Sequence, residues 1–287
     1  MTPIQMYSIM LKNGIHVAER GWKVAEILIG TSGYSYKEWV GPVYPEGTKT
    51  KDYLACYAGL FPTVELNFSY HAMPKAENLA KMLVDGGPKL RFSIKAYKTL
   101  THTINPGQWE GEAKTYLTAL EPMLEAKQLE AVLFQFPYSF HYTPDNRRYL
   151  GKLLTYFNGV PVAVEFRKSD WYIGKVIESM RDRNVPLVSL DMPDLPNLPP
   201  SMDVVTSPIA YIRLHGRNKE AWWGDDDHER YNYLYSDSEV EAWAGRIERI
   251  TEQAQRILVY FNNHAFGKAA QNAQSLEKIL RKRGIIT

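Results

Sequence analysis

The chain has 287 residues, with 34 lysines and arginines against 32 acids for a net charge of +2, and is 45% hydrophobic, 23% charged and 13% aromatic. These values exclude a disordered, collagen-like or disulfide-stapled chain, and so even a charge balance carries no signal for a nucleic-acid or membrane partner. Cys56 is the only cysteine and no apolar run approaches a membrane span, which takes roughly 18 residues or more. The first 25 residues lack the basic start and apolar stretch of a secretory signal. Residues 1–25 are read as an N-terminal extension, 26–287 as one domain, and the location as cytoplasmic by default.

Eight short apolar runs are predicted as strands: Glu26–Gly30, Thr63–Asn67, Lys89–Lys95, Ala131–Phe136, Pro161–Arg167, Pro186–Asp191, Ile209–Gly216 and Arg256–Asn263. Their starts recur about every 33 residues, near the roughly 31 of an eight-unit barrel of ~250 residues. Helical patterns lie between most of them. Pro74 is placed at a first helical position, Thr143-Pro144 opens a second helix, and Ser169 caps a third carrying Val176, Ile177 and Met180. Ser236 with Glu239 forms a capping box, and the last helix carries Ala269, Ala273, Leu276 and Leu280 before Gly284. After the sixth strand only a proline-rich loop follows.

Side chains alternate faces along a strand. In strands two to eight one parity is apolar, including Val64, Phe92, Phe134, Val164, Val188, Leu190, Ile212 and Val259, and is predicted to pack under helices. The other parity turns polar as each strand ends: Glu65 and Asn67, Lys95, Gln135, Glu165 and Arg167, Asp191, Arg213 and His215, and Asn262. Any one of these could be a cap or a salt bridge. Seven strands doing so together requires their C-terminal ends to converge, so the predicted fold is an α/β (β/α)8 TIM barrel with long loops on its C-terminal face, where barrels build active sites.

The loops leaving those ends are aromatic. They bring Ser32, Tyr34 and Trp39 after strand one, Tyr97, His102 and Trp109 after strand three, and Trp222, Trp223, Tyr231, Tyr233 and Tyr235 after strand seven. Residues 217–230 hold five acids against three bases, which repels a phosphate backbone on that side. No zinc-ligand spacing, Walker A loop, Rossmann fingerprint or G-x-S-x-G elbow occurs, so no cofactor is assigned. Glu65, Glu165, Asp191 and His215 could ligate a metal, but Lys95, Arg167 and Arg213 are expected in the same space and would neutralise it. The predicted site is therefore metal-free. Arg167, Arg213 and Arg217 hold a carboxylate or phosphate; Glu65, Glu165 and His215 move protons, with Asp191 among the acids. Lys95 is an ion-pair partner or an amine nucleophile. Paired carboxylates also admit a glycosidase, although strands four and seven end in Gln135 and in Arg213 and His215 rather than acids.

Six ordered segments carry a resemblance: Gly30-Thr31-Ser32-Gly33-Tyr34 with Trp39; Val64-Glu65-Leu66-Asn67; Leu133-Phe134-Gln135-Phe136-Pro137; Ala163-Val164-Glu165-Phe166-Arg167; Tyr211-Ile212-Arg213-Leu214-His215-Gly216-Arg217; and Tyr260-Phe261-Asn262-Asn263. Together, over Leu28 to Leu280, they resemble the YecE-like family, also called domain of unknown function 72. The resemblance implies a barrel akin to xylose isomerase and abasic endonucleases, with these motif residues in one cleft. It implies no established reaction. After Asn67 the family shows small hydroxyl residues and then two aromatics, where this chain has Phe68 and His71.

The expected function is an enzyme acting on a small phosphate- or carboxylate-bearing substrate, sugar- or nucleotide-derived, by metal-free acid/base chemistry. Ser32, Asn67, Gln135, Asn262 and Asn263 join the arginines in binding it, and Tyr34, Trp39 and Trp222 stack on it. The alternatives are a non-catalytic nucleic-acid or nucleotide binder and a metal-dependent phosphodiesterase or sugar isomerase. No membrane partner is expected.

Overall fold

The structure, a computed structural model, describes residues 25–286; the predicted N-terminal extension lies outside them but for Ala25. Eight parallel strands, β1 (Glu26–Ser32), β2 (Thr63–Leu66), β3 (Arg91–Lys95), β4 (Leu129–Phe136), β5 (Val162–Phe166), β6 (Ser189–Asp191), β7 (Ile209–Leu214) and β8 (Arg256–Phe261), form one curled sheet in the order β5-β4-β3-β2-β1-β8-β7-β6. The two outermost strands are joined through a parallel bridge between Val164 and Leu187. There Val164 N–H donates to Pro186 O and Val188 N–H to Val164 O, each at 2.9 Å. β1 passes so close to β2 at Gly30 that a Cβ would sit 1.9 Å from Thr63 O, so only glycine fits.

Helices α1 (Tyr53–Ala58), α2 (Phe68–His71), α3 (Ala76–Gly86), α4 (Trp109–Glu125), α5 (Pro144–Tyr156), α6 (Gly174–Asp182), α7 (Asp227–Arg230), α8 (Asp237–Ile250) and α9 (Lys268–Lys282) fill the connections. The caps of α5 and α8 match the sequence. Thr143 accepts from Asn146 N–H ahead of Pro144, and Ser236 and Glu239 satisfy each other's backbone donors. Two expected starts move. Ser169 opens a separate 3-10 turn, with α6 following from Gly174, and Pro74 lies two residues before α3, whose N-cap is Lys75. No helix follows β6, as the prolines require.

Two apolar layers pack on the sheet. The outer one, under the helices, includes Val64, Phe92, Phe134, Val164, Ile212 and Val259. The inner one includes Leu28, Leu133, Ala163, Val188, Leu190, Tyr211, Leu258 and Tyr260. Val188 and Leu190 were expected outside, and the structure reverses them. With no helix over β6, its outer face meets the returning loop instead, where Ser189 Oγ bonds Val204 N at 3.2 Å and Val204 O at 3.4 Å. That face is polar because it must satisfy loop backbone, so the hydrophobic parity of β6 points inward. At the other end of the sheet, Arg256 ties Glu26 and Glu130 together, each at 2.7 Å.

Candidate functional site

Inward-facing side chains at the C-terminal ends of β1, β2, β5, β7 and β8 form a buried charge lattice. Arg213, 2% exposed, is its centre, giving Nη2 to Glu65 Oε1 and Nη1 to Glu165 Oε2, both at 2.7 Å. Glu65 also accepts from the Ser32 hydroxyl and, at 2.6 Å, from Tyr211 OH. Asn67 Nδ2 and Arg213 Nη2 reach Ser32 Oγ at 2.8 and 3.1 Å. Glu165 further receives Arg167 Nε, and His215 Nε2 stands 3.4 Å from its Oε1. Asn262 Nδ2 lies 3.0 Å from His215 Nδ1.

Burial alone would keep Glu165 protonated, yet Arg213, Arg167 and His215 outweigh it and hold the carboxyl well below the usual range. For His215, burial and then Arg167 lower the pKa to about 3, so the ring is neutral at neutral pH. Glu65, Glu165 and His215 are all 0% exposed. The two glutamates hold arginines rather than open positions, and His215 is wholly buried, its ring 6.2 Å from that of Tyr231. Glu65 and Glu165 thus orient Arg213 and Arg167, and Arg167 reaches the space a ligand could enter.

That space is a cavity of about 340 Å3 on the same end of the sheet. Of the predicted site residues, Lys95, Gln135, Arg167 and Trp222 line it, together with Tyr70, His102, Tyr138, Trp223 and Tyr231. Lys95 Nζ sits over the Tyr70 ring, 4.1 Å from its centroid. Burial, with Arg213 and Arg167 adding repulsion, lowers its pKa to about 7. Arg167 lies over Trp222, 6.0 Å from the ring centre, and Trp223 at the rim meets Tyr138 edge-on. His102, bonded through Nδ1 to Thr101 Oγ1 at 2.8 Å, is pushed by burial and then Lys95 to about 3 and is neutral.

Five predicted residues lie elsewhere. Asp191 is on the outer face of β6, the consequence of the reversed parity. Its Oδ1 accepts from Arg217 Nε at 2.8 Å and Tyr235 OH at 3.0 Å, and its Oδ2 from Arg217 Nη2 and Trp243 Nε1, both at 2.6 Å. Arg217 is thereby removed from the anion-binding set; it also grips Glu239 at 2.9 Å. Asn263 faces outward too, bonding Tyr233 O at 2.8 Å and Asn272 Oδ1 at 2.9 Å. These contacts anchor the loop that carries Trp222 and Trp223. Trp39 is wholly buried with Nε1 on His264 O at 2.9 Å, and Tyr34 packs on Tyr57 in a different cleft beside Phe68 and Met82. Neither can stack on a ligand in the Lys95 cavity.

Because Asp191 is outside the sheet and Glu65 and Glu165 are taken by arginines, the four proposed metal ligands are not gathered. Among the described residues no group of three or more His, Cys, Asp or Glu is placed to hold a metal ion. Sequence reasoning missed Tyr211, which shares the inward parity of Arg213 and could have been found by it. It also missed Tyr70 and Tyr138, which follow strand ends by a few residues and carried no periodic signal. Among the described residues no helix is long and apolar enough to cross a membrane.

Relatives share this arrangement of strands. A DUF72 family protein from Thermotoga maritima MSB8 superposes with a TM-score of 0.82 at 33% identity, covering 89% of this chain and 99% of that one. A DUF72 family protein from Enterococcus faecalis V583 gives 0.77 at 27% identity, covering 90% and 99%. UPF0759 protein YunF of Bacillus subtilis strain 168 is 28% identical over 274 residues, 88% of this chain and 94% of YunF. The model of the family described as "Protein of unknown function DUF72" matches residues 28–286, so this chain belongs to the DUF72 family.

Proposed function

We propose that the chain is an enzyme whose cavity binds a small phosphate- or carboxylate-bearing compound, with a sugar- or base-like ring against the aromatic walls. The carrying observation is Lys95. Its ammonium has no carboxylate within ion-pair distance among the described residues and shares a cavity with Arg167, while the acids below are already matched to arginines. A ligand anion would supply the missing counter-charge. A volume of about 340 Å3 suits a small molecule, since ligand pockets run from about 300 to 1,000 Å3. Tyr138 and Trp223 at the rim favour a ring-bearing ligand. In this reading the curled sheet is a (β/α)8 barrel closed at the Val164–Leu187 bridge, which brings β3 and β5 ends to the same mouth.

Titration calorimetry with inorganic phosphate, sugar phosphates and nucleotides tests the reading. Affinity is expected to fall as pH rises through about 7, where Lys95 loses its proton, and to drop in Lys95→Met. Equal affinity in wild type and Lys95→Met would refute it.

A further inference from the structure

Lys95 differs from Arg213 and Arg167 at this end of the sheet. Arg213 and Arg167 grip carboxylates, whereas among the described residues the Lys95 amine lies over the Tyr70 ring with no carboxylate within ion-pair distance. An arginine at this position would stay charged at every pH, but a lysine can shed its proton, and a desolvated amine is a nucleophile. The backbone beneath it is held still, since Lys95 O accepts from Ser69 Oγ at 2.5 Å and Tyr116 OH at 3.1 Å. The cavity walls bring no acid beside the amine; Asp225 at the exposed rim is the one carboxylate lining it. Conversion of a half-buried amine without an ion-pair partner among the described residues into a neutral C=N nitrogen would remove a charge that burial disfavours.

Resting on the anion-binding reading, we propose that Lys95 captures a carbonyl compound bearing a carboxylate or phosphate as an imine, with Arg167 holding the anionic end. The Lys95 nitrogen lone pair adds to the carbonyl carbon, and the C=O π electrons move to oxygen. The two nitrogen protons of the free amine pass to that oxygen, which departs as water as the C=N bond forms. Nothing is oxidised or reduced. Gln135 and His102 line the same wall and can hydrogen-bond the departing oxygen.

The intact protein, incubated with pyruvate and sodium borohydride, then digested and mapped by mass spectrometry, tests this without any variant. The reduced adduct is expected on Lys95 at about tenfold or more the yield on any surface lysine, because at neutral pH far more of a lowered-pKa amine is unprotonated. Acetone, which lacks the carboxylate, should label Lys95 several-fold less, and inorganic phosphate should protect it. Adduct spread over surface lysines with Lys95 unlabelled overturns the imine; if phosphate still binds in that case, the anion-binding reading survives alone. Labelling that acetone matches and phosphate leaves unchanged overturns the anionic ligand class, and the proposal with it.

Discussion

Glu165 and Asp191 lie near the C-terminal ends of successive strands and are both buried, yet they do opposite things. Glu165 turns into the sheet's concave side and is held by two arginines just under the cavity. Asp191, on β6, turns outward, where Arg217, Tyr235 and Trp243 use it to fasten the base of the β7–α8 loop. An acid at a strand end is therefore no more than a candidate; which side of the sheet it faces determines whether it serves ligand or scaffold. The same contrast separates the cations: Arg217 belongs to the scaffold, Arg213 to the lattice, and Lys95 is left open to the cavity.

The largest expected effect comes from the lattice. Arg213→Met leaves Glu65 without its cation and Glu165 with only Arg167, and removing one partner of a buried pair costs about 3–5 kcal/mol. Urea denaturation should show a midpoint lowered accordingly; an unchanged midpoint would mean that the lattice is hydrated and the comparison fails. Asp191→Asn comes next. It weakens acceptors for Arg217, Tyr235 and Trp243, for about 1–3 kcal/mol. Its distinctive signature is faster proteolysis between residues 217 and 235, with phosphate affinity changed far less than in Lys95→Met.

A pH series sharpens the contrast further. The folded-state pKa of Glu165 is depressed below 4.5, so its contribution to stability is present above that value and is lost as pH falls through the folded pKa. The acid-side decline in urea midpoint should be shallower in Glu165→Gln than in wild type. Lys95 carries the opposite sign of benefit. Its folded pKa is lowered from 10.5 to about 7, so the unfolded chain binds the extra proton between those values and stability rises with pH across that window. Lys95→Met should therefore be more stable than wild type at pH 7, with the gain vanishing above about 10.5, while anion binding falls. A residue that weakens the fold yet gives the cavity its chemistry is what a functional site is expected to contain.

Much of this was legible without the fold. The eight strands, the caps at Thr143 and Ser236, the helix-free connection after β6, and the placing of Glu65, Lys95, Gln135, Glu165, Arg167 and Arg213 at strand ends all followed from local patterns of period 2 and 3.6. Those patterns are written by burial and backbone satisfaction within a single element. What only the tertiary structure decided was orientation and pairing. Alternation states that two faces differ, and β6 shows that it cannot state which face is inside: without a helix above it, the polar face turned out to serve the loop and the apolar face filled the interior. Nor can spacing reveal that Arg213 occupies both glutamates at once, while Lys95 in the cavity has no carboxylate within ion-pair distance among the described residues. Those facts depend on side chains 48 and 148 residues apart in the chain meeting within 3 Å, a result of how the sheet curls rather than of any local run.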